Sequence, residues 1–444
     1  MSIESTLGPA TTEGSFGSVG SVGSVGSVGS VGSVNAHGMQ DNFVSDLTVD
    51  GLIMQRDGII GPYEGTPAFY GKRPQENGRR VQIDYMSSAV RADVADFELF
   101  SRLIFTTRVV ERELRSPPPR DPDTGRNRYF DVLHTTPTPD ADCPLSVGTL
   151  ISMARPPRGA FRKQLRLLDA YAELRSERRA EIITQVPTIA PYLAPIVGLR
   201  MDRNLWTVEV LNLAFRFARY VHMRLKAALN CVRPAEMSPQ VQPIIATPGH
   251  GSLPSGHATE AFAMATILNA VVRRGYALHN PRVASIANWD RYALLFSMVA
   301  ARVGINRTIA GVHYPVDTAA GAMLGVALGQ YMLSRSGAVQ VDAGGEPVKD
   351  DDGNPTSVAF SGWEFDGWAY NGLDDFERPL QIDVAKGDIA LKPDVHSPTK
   401  PNCALSHPLI GGPFQKQIAG STATADTSLV LKEMFDRATM EWVL

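Results

Sequence analysis

The chain has 444 residues, 43% of them hydrophobic, enough to bury a large core as one big helical domain or two smaller ones. Its 43 Lys and Arg nearly balance 46 Asp and Glu, and a net charge of -3 excludes a nucleic-acid binder that draws its affinity from phosphate neutralisation, so any positive cluster must be local. Three scattered cysteines, Cys143, Cys231 and Cys403, have no metal-ligand spacing and argue against a disulfide framework, which favours a reducing compartment.

No basic segment followed by an apolar one opens the chain, so the expectation is a protein without a secretory signal, cytoplasmic by default. From Gly17 to Val34 a Gly-Ser-Val triplet repeats, and its composition reads as a flexible tail within residues 1–50. Residues 51–335 are assigned to an α-helical domain and residues 336–444 to a loop-rich C-terminal extension.

Helical periodicity dominates from about Arg91. "VADFELFSRLIFTTRVVEREL" (Val94 to Leu114) carries apolar residues at i, i+3, i+4 spacing and predicts one helix, stopped by Pro117 to Pro119. "GAFRKQLRLLDAYAELRSERRAEII" and "LWTVEVLNLAFRFARYVHMRLKAAL" repeat the pattern at greater length. Three further helices follow Pro254, run through "RYALLFSMVAARVGI" and run through "VDTAAGAMLGVALGQYML". Strand-like alternation is scarce before the last hundred or so residues, so the predicted fold is all-α, a helical bundle with irregular N- and C-terminal extensions.

The uncharged stretches of those three helices, bounded by Glu260 and Arg273, Arg291 and Arg302, and Asp317 and Arg335, mostly fall short of the ~18 to 20 residues that a membrane span needs. Gly321, Gly325 and Gly329 make a small-residue row that suits either a membrane dimer or close packing of soluble helices around a site. A mean hydropathy of -0.10 favours the soluble reading. No membrane and no nucleic acid are expected as partners, and a homo-oligomer is allowed.

The stretch "GHGSLPSGHATEAF" (Gly249 to Phe262) sets two histidines seven positions apart around a Pro-Ser-Gly turn that enters a helix. Such a turn leaves backbone N–H groups, a hydroxyl and an imidazole facing one point, which is how a protein grips an oxyanion. Cations are available at Lys226 and Arg233, seven apart and ahead of the helix-ending Pro234, although alone they read as a solvated helix terminus. In "NRTIAGVHYPVD", Pro315 starts a helix with His313 at its mouth and Asp317 one turn inside; by themselves these are a local capping pair.

Together the segments spell Lys226-x6-Arg233-Pro234, Pro254-Ser255-Gly256-His257 and Arg307-x5-His313-x3-Asp317, in that order. This resembles the three-part signature of the type 2 acid phosphatase and vanadium-dependent haloperoxidase superfamily. The helical context extends the resemblance to roughly Arg91 through Arg335, and Asn306 stands where the family usually has Ser. The resemblance implies that Lys226, Arg233 and Arg307 neutralise equatorial oxygens of a bound oxyanion, with Ser255 and the Gly256 amide as neutral donors. His313 would then be nucleophile toward phosphorus or ligand to vanadium, Asp317 would orient its ring or pair with an arginine, and His257 would be general acid and base.

Two reactions share that implied cage. In the resembling phosphatases a phosphomonoester is hydrolysed through a phosphohistidine. In the resembling haloperoxidases vanadate is the cofactor, a Lewis acid on which hydrogen peroxide oxidises halide with help from His257 and Lys226, and small organic substrates are halogenated. Bromoperoxidases of the family carry a histidine seven residues before the acid-base histidine, the place of His250, and this residue tilts the reading toward bromide oxidation. The other reading of His250 is a brace in a Pro- and Gly-rich loop. A non-catalytic oxyanion binder would be expected to lose His257 or His313, and both are present. His134, His222, His279, His396 and His407 fall in no ligand spacing and read as structural or exposed. The aromatic run Trp363, Phe365, Trp368 and Tyr370 reads as a C-terminal flap on the bundle.

Overall fold

A computed structural model describes residues 46–59, 83, 86–109, 128–138, 145–279, 289–342, 346–370, 372–373, 375–376, 382–383, 388–389 and 415–442. The Gly-Ser-Val repeat, Cys143, Cys403, His396 and His407 lie outside them; Cys231 is buried and free.

In chain order the helices longer than one turn are α1 (Asp46–Ile59), α2 (Ser88–Phe100), α3 (Arg158–Ala172), α4 (Arg175–Thr184), α5 (Leu205–Leu229), α6 (Gly256–His279), α7 (Trp289–Ile309), α8 (Pro315–Arg335) and α9 (Leu429–Met440). The strands are β1 (Leu103–Val109), β2 (Arg128–Pro137), β3 (Leu145–Ala154), β4 (Trp363–Asp366), β5 (Ile382–Asp383), β6 (Asp388–Ile389) and β7 (Gln415–Gln417).

Helix α6 is the hub, packed against α5, α7 and α8. Its apolar residues occupy every side, and Ala258, Ala261, Phe262, Ala265, Ile267 and Leu268 are all buried, as expected of a helix with no solvent face. Gly321 and Gly325 let α8 lie on it closely. A Cβ at Gly321 would stand 2.5 Å from the Ser255 carbonyl, and one at Gly325 would stand 2.4 Å from that of Thr259. The small-residue row is therefore a contact between helices of this bundle. Among the described residues no helix is long and apolar enough to cross a membrane.

The all-α expectation needs correction. A five-stranded sheet runs in the order β1-β2-β3-β4-β7, antiparallel except for the parallel β3/β4 pair. The helix expected over Val94 to Leu114 stops at Phe100, where the Ser101 N–H caps onto the Phe97 carbonyl, and "LIFTTRV" continues as β1. That run is rich in β-branched and aromatic residues, and β2 offers it a ladder from Leu103↔His134 to Val109↔Arg128, which outweighs its helix-like spacing. A single helix expected from Gly159 is instead α3 and α4, broken at Glu173 and Leu174. The break presents Arg175 to the carbonyls of Val241, Gln242 and Ile309, so its guanidinium ties together two loops that meet beside the end of α7.

The C-terminal segment joins this body. Trp363 and Phe365 are buried on β4, Trp368 and Tyr370 just beyond it, and α9 packs on α5 and α6.

Candidate active site

Three chain segments meet at the N-terminal end of α6. The first is the end of α5. Asn230 takes a left-handed conformation (φ 44°) that stops the helix, and the chain then runs extended through Arg233 until Pro234 opens a one-turn helix. Lys226 and Arg233 are each 1% exposed, so neither is the solvated helix end that spacing alone allowed. Lys226 Nζ donates to the carbonyls of Gly251 (3.1 Å) and Ser252 (2.9 Å). Burial, then the neighbouring Arg233, pulls its ammonium well below the ordinary lysine range.

The second segment is the turn before α6. Ser255 accepts from the Thr259 N–H through its carbonyl, and its own N–H donates to the Asp317 carbonyl (2.8 Å), so it stands at the helix mouth. Its hydroxyl does not cap the helix; Ser255 Oγ is buried with no partner. The first amides of α6, beginning at Gly256, have no intrahelical acceptor.

The third segment runs from α7 into α8. Gly311 turns it with φ +84°, a left-handed value that a side chain would strain. His313 Nδ1 contacts Asp317 Oδ2 at 3.1 Å, and the same oxygen accepts from the Tyr314 N–H at 3.0 Å, while Ser252 Oγ donates to Oδ1 at 3.4 Å. With Asp317 fully buried, its carboxylate fixes the proton of His313 on Nδ1 and leaves Nε2 as an acceptor. Arg233 Nη1 donates to that Nε2 at 3.1 Å and to the Val312 carbonyl at 2.7 Å. Burial first, then Arg233 and Lys226, holds His313 well below the usual histidine range. Burial pushes the Asp317 carboxyl up, against the Tyr314 amide, Lys226 and Arg233.

Arg307, 1% exposed, donates through Nη2 to the Ile182 carbonyl and to Gln185 Oε1, both at 3.0 Å. Its Nε and Nη1 are buried without partners. His257 Nε2 donates to the Gln185 carbonyl at 3.2 Å, and burial followed by Arg307 lowers its ring to about 4. His250 is half-buried; Arg233 donates through Nη2 to its Nδ1 (3.0 Å) and through Nε to its carbonyl (2.9 Å). Burial, then Lys226, lowers the His250 ring to about 4 as well, so it is neutral at pH 7. His250 thus braces Arg233 and reaches the cage in the same contact.

Sequence reasoning missed Gln185, which follows α4 and is 1% exposed. It holds both Arg307 and His257, and with Glu181 it receives the Asn306 amide at 3.0 Å. No motif spacing marks it, because its partners lie more than seventy residues away in the chain.

Among the described residues, then, the structure gathers Lys226, Arg233, Ser255, Gly256, His257, Arg307, His313 and Asp317, with His250 at the rim. The spare donors are those of Ser255 and Arg307 and the opening amides of α6. Such a set of cations and spare donors has the chemistry to receive an oxyanion.

Residues 208–338 match the model of the PAP2 superfamily. The match contains every residue of the cage. In structure the chain is similar to the first transmembrane PAP2 type phosphatidylglycerolphosphate phosphatase from Bacillus subtilis, at 22% identity and a TM-score of 0.23. That match covers 37% of this chain and 72% of the other. No curated protein matches.

Proposed function

We propose that this chain hydrolyses phosphate monoesters through a phosphohistidine on His313. The observation that carries the reading is the combination of buried, unpartnered donors on Ser255 and Arg307 with a histidine whose Nε2 lone pair is kept available by Asp317. In this reading Lys226, Arg233 and Arg307 take the charge of the three non-bridging oxygens, and Arg233 turns from His313 Nε2 to the phosphate. His313 Nε2 attacks phosphorus while the bond to the leaving oxygen breaks. His257 gives that oxygen its proton, then takes one from the water that attacks the phosphohistidine, which restores both histidines. His257 is neutral in the anion-free cage, and an arriving dianion next to Arg307 favours its protonation.

A second reading, vanadate-dependent halide oxidation, draws on the contact of His250 with Arg233 at the cage rim. The same donors suit vanadate, which shares the shape and charge of phosphate: Lys226, Arg233, Ser255, Gly256 and Arg307 would hold it with His313 as ligand, and it would supply a Lewis acid. His257 would still move the proton, and His250 would tilt the choice of halide toward bromide.

One experiment separates the two. Purified protein is assayed for aryl phosphate hydrolysis, with an alkaline quench that preserves phosphohistidine at residue 313 for mass spectrometry, and after orthovanadate loading for bromide- and peroxide-dependent halogenation of a reporter. Hydrolysis with a trapped intermediate that disappears in His313→Ala supports the first reading. Halogenation without hydrolysis sinks it in favour of the second.

A further inference from the structure

Directly beneath the cage lies a buried pair that the catalytic scheme does not use. His222 Nε2 meets Glu260 Oε1 at 3.0 Å, with His222 4% and Glu260 7% exposed. His222 lies one turn before Lys226 on α5, and Glu260 one turn after Gly256 and His257 on α6, so the pair spans the two helices that carry the cage. The ring of His222 occupies the space a side chain at 256 would need: a Cβ there would be 2.9 Å from Cε1 and 3.0 Å from Nε2. Glycine at 256 is thus required by the histidine below it as well as by any ligand above it.

We propose that the His222–Glu260 pair is a positioning unit that limits how tightly the cage holds its oxyanion. His222 supports the Gly256 floor, and Glu260 supplies a negative charge opposed to the bound anion. This rests on the phosphate reading given above. The cage otherwise has three buried cations, Lys226, Arg233 and Arg307, and one buried carboxylate in contact with its histidine, Asp317. Glu260 is the second buried carboxylate of the region, faced by His222, Arg219 and Lys226 from α5, His257 from its own helix and Arg307 from α7. Burial disfavours the charged form of both groups, and at Glu260 it is outweighed by the hydrogen bond with His222 and by the charges of His222, His257 and Arg219, so the carboxyl lies below its usual range. Without the charge of Glu260 the cations of the cage would hold the product phosphate more firmly.

The test is calorimetric titration of inorganic phosphate into the full chain. Glu260→Gln keeps the shape and removes the charge, and is expected to bind phosphate about tenfold more tightly, the scale of one charge acting over several ångströms in a partly buried site. Product inhibition should tighten in proportion and KM for an aryl phosphate should fall. Glu260→Asp keeps the charge and should stay near the wild-type affinity; a purely structural pair would weaken binding in both variants. If Glu260→Gln fails to fold, Glu260→Met makes the same neutralisation with an apolar chain. Unchanged or weaker phosphate binding in a folded neutral variant overturns the inference, whereas wild-type protein that does not bind phosphate overturns the phosphate reading beneath it.

Discussion

Arg307 gives its guanidinium to two acceptors that carry no charge, the Gln185 amide oxygen and the Ile182 carbonyl. Its positive charge is met by Glu260 only at a distance, and among the described residues it has no ion pair in direct contact. Gln185→Glu would place a carboxylate at the same contact, and phosphate affinity should fall about tenfold or more, as charge-assisted bonds are worth roughly 1.5–3 kcal/mol. Calorimetry checks this, and equal affinity would show that the charge of Arg307 is not offered to the anion. The neutral histidines make a second expectation. A dianion in the cage raises His257, so binding of sulfate, which is already doubly charged near pH 6, should take up protons, visible as a binding enthalpy that changes with the ionisation enthalpy of the buffer. Most residues of this centre could be read from the chain because they cluster in three short motifs. Gln185 could not, and neither could the role of His222, since a helix-borne histidine with no partner in ligand spacing looks the same in sequence whether it faces a core or a cage.

At the level of elements, the contact between α6 and α8 fixes the mouth of the site. Gly321→Ala would press a methyl group on the Ser255 carbonyl, and Gly325→Ala would press one on Thr259 a turn deeper. Each should cost about 1–3 kcal/mol of stability through overpacking. The two should differ in function: Gly321→Ala shifts Ser255 and should weaken phosphate binding, while Gly325→Ala should chiefly lower the melting temperature. Gly249→Ala, where an added Cβ meets nothing within 4 Å, is the control. Equal loss of affinity in both glycine variants would contradict this division. Helices α6 and α8 were legible because Pro254 and Pro315 mark their starts and their apolar runs are long. Strand β1 was not, because "SRLIFTTRVVEREL" satisfies helical spacing and only its pairing with β2 decides the matter.

Across the whole molecule, the buried histidines tie stability to pH. His250 and His257 are lowered to about 4 and His313 well below the usual value, against about 6.5 in the unfolded chain. Between pH 6.5 and 4 the unfolded chain binds more protons at these positions, so the stability they contribute is present above 6.5 and lost as pH falls through that window. Asp317, Asp96 and Asp375, pushed up by burial, act in the opposite direction in the acid range, but His134 and His222 are lowered too, so five histidines oppose three carboxyls. Anion-free protein should therefore be less stable at pH 5 than at pH 7.5 by roughly a few kcal/mol in denaturant titration. Phosphate should recover part of that loss by binding only the folded form. Greater stability at pH 5 without phosphate would contradict the histidine assignments.

The parallel pairing of β3 with β4 joins Ile151–Ala154 to Trp363–Asp366, and residues 155–362, which hold the entire cage, lie between the two strands. During synthesis β3 must therefore wait with one edge uncovered until its partner leaves the ribosome. Loop closure across that span makes the pairing a late and slow event, and the waiting edge invites association between copies. A chain cut before Trp363 would keep every residue of the cage, yet it is expected to accumulate in aggregates, whereas supplying residues 346–442 as a separate polypeptide should rescue its solubility by restoring β4 beside β3 and α9 on α5 and α6. Recovery of a soluble, monomeric truncated chain without that supplement would show that the edge needs no cover.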